Sequence, residues 1–197
     1  VGLDALGLAA MRIESGVWDR AIVGAAEEKS DLVDRAYHAS DLCRPSRKTP
    51  KSSTLSSSSG GVALILESDE SVKNRGGRAI AELGAFVSRR ESRAGGAYSS
   101  AEVLRRLGAS TRVLGSGCRT WIDRAEAIAV RKTHRQAELT GIYDWIGETF
   151  SLGPLLALAG YLNEAGPGNA TVNSDNSAVG LCTDFLTGAS GLRISRL

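Results

Sequence analysis

The sequence predicts a layered α/β protein. Short apolar runs of strand length alternate with segments of helical period, and glycines close several of the helical segments. The composition, 42% hydrophobic and 23% charged over 197 residues, is that of an ordinary globular chain. That length fits one domain or two small halves. With only 5% aromatic residues, the core is expected to be Ala, Val, Leu and Ile. A net charge of +2 lacks the basic bias of a dedicated nucleic-acid binder. The longest apolar run, residues 152–162, is interrupted by Gly153, Pro154 and Gly160. It falls well short of the roughly 20 residues of a membrane span. The start carries no basic segment followed by a cleavage site. No nucleic-acid or membrane partner is expected, and a cytoplasmic location is. Cys43, Cys118 and Cys182 lie far apart, with no Cys or His at metal-ligand spacing. They read as reduced thiols, and no metal or cofactor is expected.

Each element has a local reason. Leu3, Leu6, Ala10 and Ile13 recur at helical spacing and Gly16 stops the run, which predicts a helix over 3–15. Residues 21–26 (AIVGAA) are apolar throughout, as in a buried parallel strand. Residues 29–59 end in low complexity and read as a solvated loop. Gly60 and Gly61 open a second buried strand through Glu67, and residues 70–77 form a short helical turn. Residues 78–88 alternate like a strand. Ser99 is the expected N-cap of a helix over 101–107 that stops at Gly108. Residues 112–114 form a strand running into Gly115-Ser-Gly-Cys, and 121–135 form a helix. A strand is expected at 141–146 and an apolar helix at 153–165. Strands at 178–183 and 191–196 close the chain. The 21–26 run needs neighbours on both sides, since a uniformly apolar edge strand is an aggregation hazard. Either another chain is expected to supply them, or the N-terminal half has been cut away.

The motifs now point to a family. Gly2-Leu-Asp-Ala-Leu-Gly, followed by Gly16-Val-Trp-Asp-Arg-Ala-Ile-Val-Gly-Ala-Ala-Glu, resembles the β-ketoacyl synthases of the thiolase fold. The GLDA form is similar to subunits of type II polyketide synthases. Gly60-Gly-Val-Ala-Leu-Ile-Leu-Glu resembles the family's GAGALVLE strand. Arg75-Gly-Gly-Arg-Ala-Ile-Ala-Glu-Leu-Gly-Ala-Phe resembles its RGARIYAELVGF linker. The resemblance implies a thiolase-like α/β/α/β/α fold lacking the first strands of its N-terminal half. It divides the chain into 1–74, the remainder of that half, and 75–197, the C-terminal half. It also places the family's nucleophile just before Val1, at the N-terminus of the first helix.

The family's remaining catalytic positions are altered here. Ser116 stands where the resemblance places one His. Tyr143 and Glu148 stand where it places Lys and the second His. Of the family's GFGG loop only Phe185 survives, a candidate substrate-tunnel or gate residue. Condensation by decarboxylation uses imidazoles to stabilise an enolate oxygen. Ser116 is a weak donor, and an ionised Glu148 has the wrong sign. His38 and His134 lie elsewhere and read as structural. The pattern implies a non-catalytic chain length factor subunit without cofactor. Its expected partners are an N-terminal fragment of the same subunit, an active ketosynthase subunit and, transiently, an acyl carrier protein. The alternative is a divergent condensing enzyme or acyltransferase whose nucleophile lies on another chain, with Glu148 as base. The basic residues Arg89, Arg90, Arg93, Arg131, Lys132 and Arg135 read as a solvated surface, with an acidic carrier protein as the alternative reading.

Overall fold

The computed structural model describes residues 2–39, 57–90, 95–117, 120–141, 146–149, 151–164, 176–184 and 188–197. They form two sheets with a pair of helices between them and a second helix pair outside. The first layer is an antiparallel pair, β1 (Arg20–Glu27) with β2 (Gly60–Glu67). Beneath it lie α1 (Gly2–Glu14) and α6 (Gly153–Asn163). The third layer is a five-stranded sheet containing β3 (Ala81–Arg90), β4 (Arg112–Leu114), β5 (Glu138–Thr140), β6 (Ser177–Thr183) and β7 (Gly188–Arg196). Its spatial order is β3-β7-β6-β4-β5. The fourth layer is α4 (Gly96–Leu107) and α5 (Trp121–Thr133), packed on that sheet's far side. Short helices α2 (Asp31–Ala39) and α3 (Asp69–Asn74) flank the first sheet in sequence.

Two apolar clusters hold the layers. One joins Leu3 and Leu6 of α1 and Leu155 and Leu158 of α6 to Val23, Leu66, Leu192 and Ile194 on the two sheets. The other joins Val103, Leu104 and Leu107 of α4 and Ala129 and Val130 of α5 to Val113, Val179, Leu181 and Ala189. The five-stranded sheet is therefore buried on both faces. Glycines bring the layers close: a Cβ on Gly7 would collide with the Phe86 ring. Tyr161 ties α6 to the sheet, its hydroxyl donating to the Asn176 carbonyl at 2.8 Å while the Arg196 guanidinium lies 3.8 Å from its ring centroid.

The chain also repeats a unit. The elements α1, β1 and β2, with α2 between the two strands in sequence, are a helix followed by an antiparallel pair, and so are α6, β6 and β7. In the second copy, β6 also pairs in parallel with β4 and β7 pairs antiparallel with β3.

Several expectations need correction. β1 is not a parallel strand buried on both faces. It runs antiparallel to β2 with Ile22 opposite Ile65, and only Val23 along it is buried. Its continuous apolarity has a different cause, an outer face of apolar residues left bare. The stretch 29–59 is not all loop. Residues 31–39 form α2, started by Ser30, whose side chain accepts from the Val33 N–H and whose carbonyl accepts from Asp34. Ser99 does not cap α4. The helix starts a turn earlier at Gly96, after Gly95, and Ser99 is wholly buried inside it. The small residue sets this start, because a Cβ on Gly96 would sit 2.9 Å from Trp121 and 3.1 Å from Thr183. The third strand of the parallel set is Glu138–Thr140, in register with Arg112–Leu114, while most of the strand expected at 141–146 lies outside the described residues. Helix α5 ends at Thr133, with His134 at its C-cap, and α6 ends at Asn163.

Candidate functional site

Close glycine contacts position the stretches that carry Ser116 and Glu148. Strand β4 runs into Gly115–Ser116–Gly117, and Gly115 donates its N–H to the Thr140 carbonyl at 2.8 Å. Gly117 then lies against Gly141, where a Cβ would sit 2.6 Å from the Gly117 Cα. The loop that carries Ser116 thus touches the start of the stretch that carries Tyr143 and Glu148. From the other side, Gly2 of α1 packs on the Ser151 carbonyl, to which a Cβ there would come within 2.5 Å. Two sequence-distant stretches are therefore brought to one place. Tyr143 and Phe185 lie outside the described residues, as do Cys43, Cys118 and Arg93.

Ser116 is fully engaged. Its backbone N–H and its hydroxyl both donate to Glu126, each at 2.8 Å, one to each carboxyl oxygen. Glu126 projects from α5 and is 1% exposed. Thr183 at the end of β6 also hydrogen-bonds Glu126. Thr183 Oγ1 in turn lies 2.8 Å from Ser100 Oγ, which donates to the Gly96 carbonyl at 2.8 Å. One buried carboxyl thus ties the β4–α5 loop to the β6 terminus and, through Thr183 and Ser100, to α4. Burial pushes its pKa up to about 7, against the pull of the Ser116 and Thr183 hydrogen bonds. Near neutral pH it is divided between acid and carboxylate. At 1% exposure it braces the loop and does not reach a ligand. Gly115 is required beside it, since a Cβ there would lie 2.6 Å from a Glu126 oxygen and 2.8 Å from Leu139.

Cys182 adjoins this network on the opposite face of β6. Burial pushes its thiol up to about 12, and the nearby acids Glu126, Asp4 and Asp184 act in the same direction. It is a neutral thiol at physiological pH and a poor nucleophile. Asp4, in the first turn of α1, accepts from the Ser190 hydroxyl at 2.5 Å, and that hydroxyl lies 3.2 Å from Ser88 Oγ. Glu148 is half-buried and fixed through its backbone, its carbonyl accepting from the Ser58 N–H at 2.9 Å beside a bridge to Ser57. His134 is buried away from this region, its two ring nitrogens 2.7 Å from the Gly108 carbonyl and 2.9 Å from Thr133 Oγ1. His38 lies in α2.

Sequence reasoning did not single out Glu126 as a site residue. Its signal is present nonetheless: it falls among Ile122, Ala125 and Ala129 on the apolar side of α5, where a carboxylate must find partners. Ser100 and Thr183 carry no such signal, because hydroxyl residues are common on either face.

No protein-family model matches this chain, and no curated protein matches it by sequence. Solved structures do match. Over its whole length the chain is similar to a β-ketoacyl synthase from Burkholderia phymatum STM815, with a TM-score of 0.85 at 20% identity. It is likewise similar to the ishigamide ketosynthase/chain length factor, with a TM-score of 0.82 at 17% identity. A third similar structure is a type II polyketide synthase acyl-carrier protein in complex with its ketosynthase bound to the hexaketide, with a TM-score of 0.74 at 17% identity. The chain covers 59%, 58% and 57% of those chains respectively. It has the thiolase-type α/β fold of the β-ketoacyl synthases, over less than two thirds of their length.

Proposed function

We propose that this chain is the C-terminal part of a chain length factor, a non-catalytic subunit of a type II polyketide ketosynthase complex. The observation that carries this reading is the engagement of Ser116. Both of its donors point into buried Glu126, so neither is left for an enolate oxygen where the resemblance places an imidazole. Asp4, Glu126 and Asp184 lie near the protonated Cys182, an acid-rich setting that opposes developing negative charge. The likeness to the ishigamide ketosynthase/chain length factor supports the same role. In this reading residues 1–74 and 75–197 are the two thiolase-like halves, Phe185 gates a polyketide tunnel, and Tyr143 and Glu148 are inert replacements. The partners are the N-terminal part of the subunit, an active ketosynthase and a transiently bound acyl carrier protein, and the complex works in the cytoplasm. No helix among the described residues is long and apolar enough to cross a membrane.

Glu148→Gln tests this against the alternative in which Glu148 is the base of a condensing enzyme or acyltransferase. The substitution keeps the shape and removes the charge. If Glu148 is structural, the assembled complex melts at a lower temperature and still makes product of the same length. If Glu148 is a general base, turnover is lost from a complex that stays assembled and melts unchanged.

A further inference from the structure

We infer that Glu126 works a proton-dependent tie between the Ser116 loop and the first turn of α4, carried by the hydroxyls of Thr183 and Ser100. This rests on the packing of α4, α5 and β6 and is independent of the polyketide reading.

The hydrogens along this line of contacts can be counted. Glu126 hydrogen-bonds Thr183, Thr183 Oγ1 lies 2.8 Å from Ser100 Oγ, and Ser100 Oγ lies 2.8 Å from the Gly96 carbonyl oxygen. The last group, a carbonyl, only accepts, and so does a carboxylate at the other end. Each of the two hydroxyls between them brings one hydrogen. With Glu126 ionised, two hydrogens therefore serve three contacts, and one pair of oxygens has none between them. A proton on Glu126 supplies the third. The line then runs one way, from the carboxyl to Thr183, from Thr183 to Ser100 and from Ser100 to Gly96. The Ser116 N–H and hydroxyl donate to the same carboxyl, at 2.8 Å each.

Loss of the proton reverses the two hydroxyls. Thr183 turns its hydrogen to the carboxylate, because an unsatisfied charge at 1% exposure is the costlier loss. Ser100 then turns its hydrogen to Thr183, and its contact with the Gly96 carbonyl is released. That contact sits at the start of α4, where Gly95 provides no side-chain cap. The proton is exchanged with solvent, and no bond between heavy atoms changes.

Few titratable groups surround Glu126 among the described residues. Asp123, on the same helix, raises its pKa, and Cys182 on β6 is a neutral thiol on which Asp4 and Asp184 also bear. The β4 end and β5 present Gly115 and Leu139, and α4 presents Gly96 and Ser100, none of them charged. Burial brings the acid up to about 7, so the hydrogen count changes near neutral pH.

The test follows the backbone amide chemical shifts of Ser116, Gly96 and Ser100 from about pH 5.5 to 8.5. It uses the assembled complex, with the glycines and serines of this chain isotope-labelled. All three amides should titrate together with one midpoint near 7. Glu126→Gln keeps the shape and a donor at every pH, and should flatten all three. Thr183→Val removes the middle hydroxyl. Ser116 should then still titrate, while the shifts at Gly96 and Ser100 fall at least about fivefold. Ser100→Ala breaks the next link, should reduce the Gly96 shift equally, and serves if Thr183→Val does not assemble. A purely structural role for Glu126 would destabilise these variants without a shared midpoint. The inference is overturned if Ser116 and Gly96 titrate with separate midpoints, or not at all. It is equally overturned if the α4 shifts survive Thr183→Val, Ser100→Ala or Glu126→Gln.

Discussion

The pair β6–β7 and the pair β1–β2 are the same unit in different surroundings. In β6–β7, Ala178, Leu192 and Ile194 face α1 and α6 while Val179, Leu181 and Ala189 face α4 and α5, and all six are buried. In β1–β2 the inward residues Val23 and Leu66 are buried while Ile22 and Ile65 on the other face are bare. β1, β2 and β6 read in the sequence as continuous apolar runs, whereas β7 alternates through Arg193 and Ser195. Such a run therefore reports the burial a strand was selected for in its working assembly, which one chain need not supply.

The contrast predicts unequal consequences for equal truncations. Leu192→Ala, at a site with no exposure, should cost the folded unit about 2–5 kcal/mol by denaturant titration. An equal cost at Ile65→Ala without a partner chain would break the comparison.

The covered face also holds a strongly shifted buried carboxyl, Glu126. The folded pKa of Glu126 is raised to about 7 from the ordinary 4.5. Between those values the folded state holds a proton that the unfolded state has lost. Its contribution is thus complete below about pH 4.5 and fades as pH rises through 7. Stability should fall by up to about 3 kcal/mol between pH 5 and pH 8, as 2.5 units at about 1.36 kcal/mol each give. Glu126→Gln should flatten that slope, as read by denaturant titrations across the range. Glu67, half-buried on β2 and held down to about 2 chiefly by the Arg75 hydrogen bond, works in the opposite sense and only at acid pH.

Glycines sharpen the comparison further. On Gly191 a Cβ would sit 2.6 Å from Val103 and 2.7 Å from Leu107, so Gly191→Ala should cost about 1–3 kcal/mol. On Gly24 the nearest atom would be the Val62 carbonyl oxygen at 3.6 Å, so Gly24→Ala should change thermal stability by less than about 0.5 kcal/mol. The smallest effect is expected at Ile65→Ala in the chain alone, also within about 0.5 kcal/mol, rising once the face is covered.

Most of the fold was legible in the residues. Gly16, Gly76 and Gly108 end α1, α3 and α4 with positive φ values of 70°, 63° and 79°, as helix-stopping glycines should. The direction of β1 was not legible, because apolarity on both faces is common to a buried parallel strand and to an antiparallel strand awaiting its cover. The α4 start was missed because Ser99 has capping chemistry, while the start at Gly96 depends on Trp121 and Thr183, distant in sequence. At the candidate site, Ser116 and Glu148 could be named from motif order. The partner that holds Ser116 could not, since helical spacing puts Glu126 on a buried face without saying which loop crosses it.

The central claim is that this chain keeps a condensing-enzyme fold without supplying condensing chemistry. The most direct measurement is the rate of product formation by the assembled complex carrying Ser116→Ala and Glu148→Gln together. Retention of the rate within a few-fold is the predicted result, since only one weak donor and one charge are removed. A fall of about a thousand-fold, in a complex that remains assembled, would contradict it and place the chemistry on this chain.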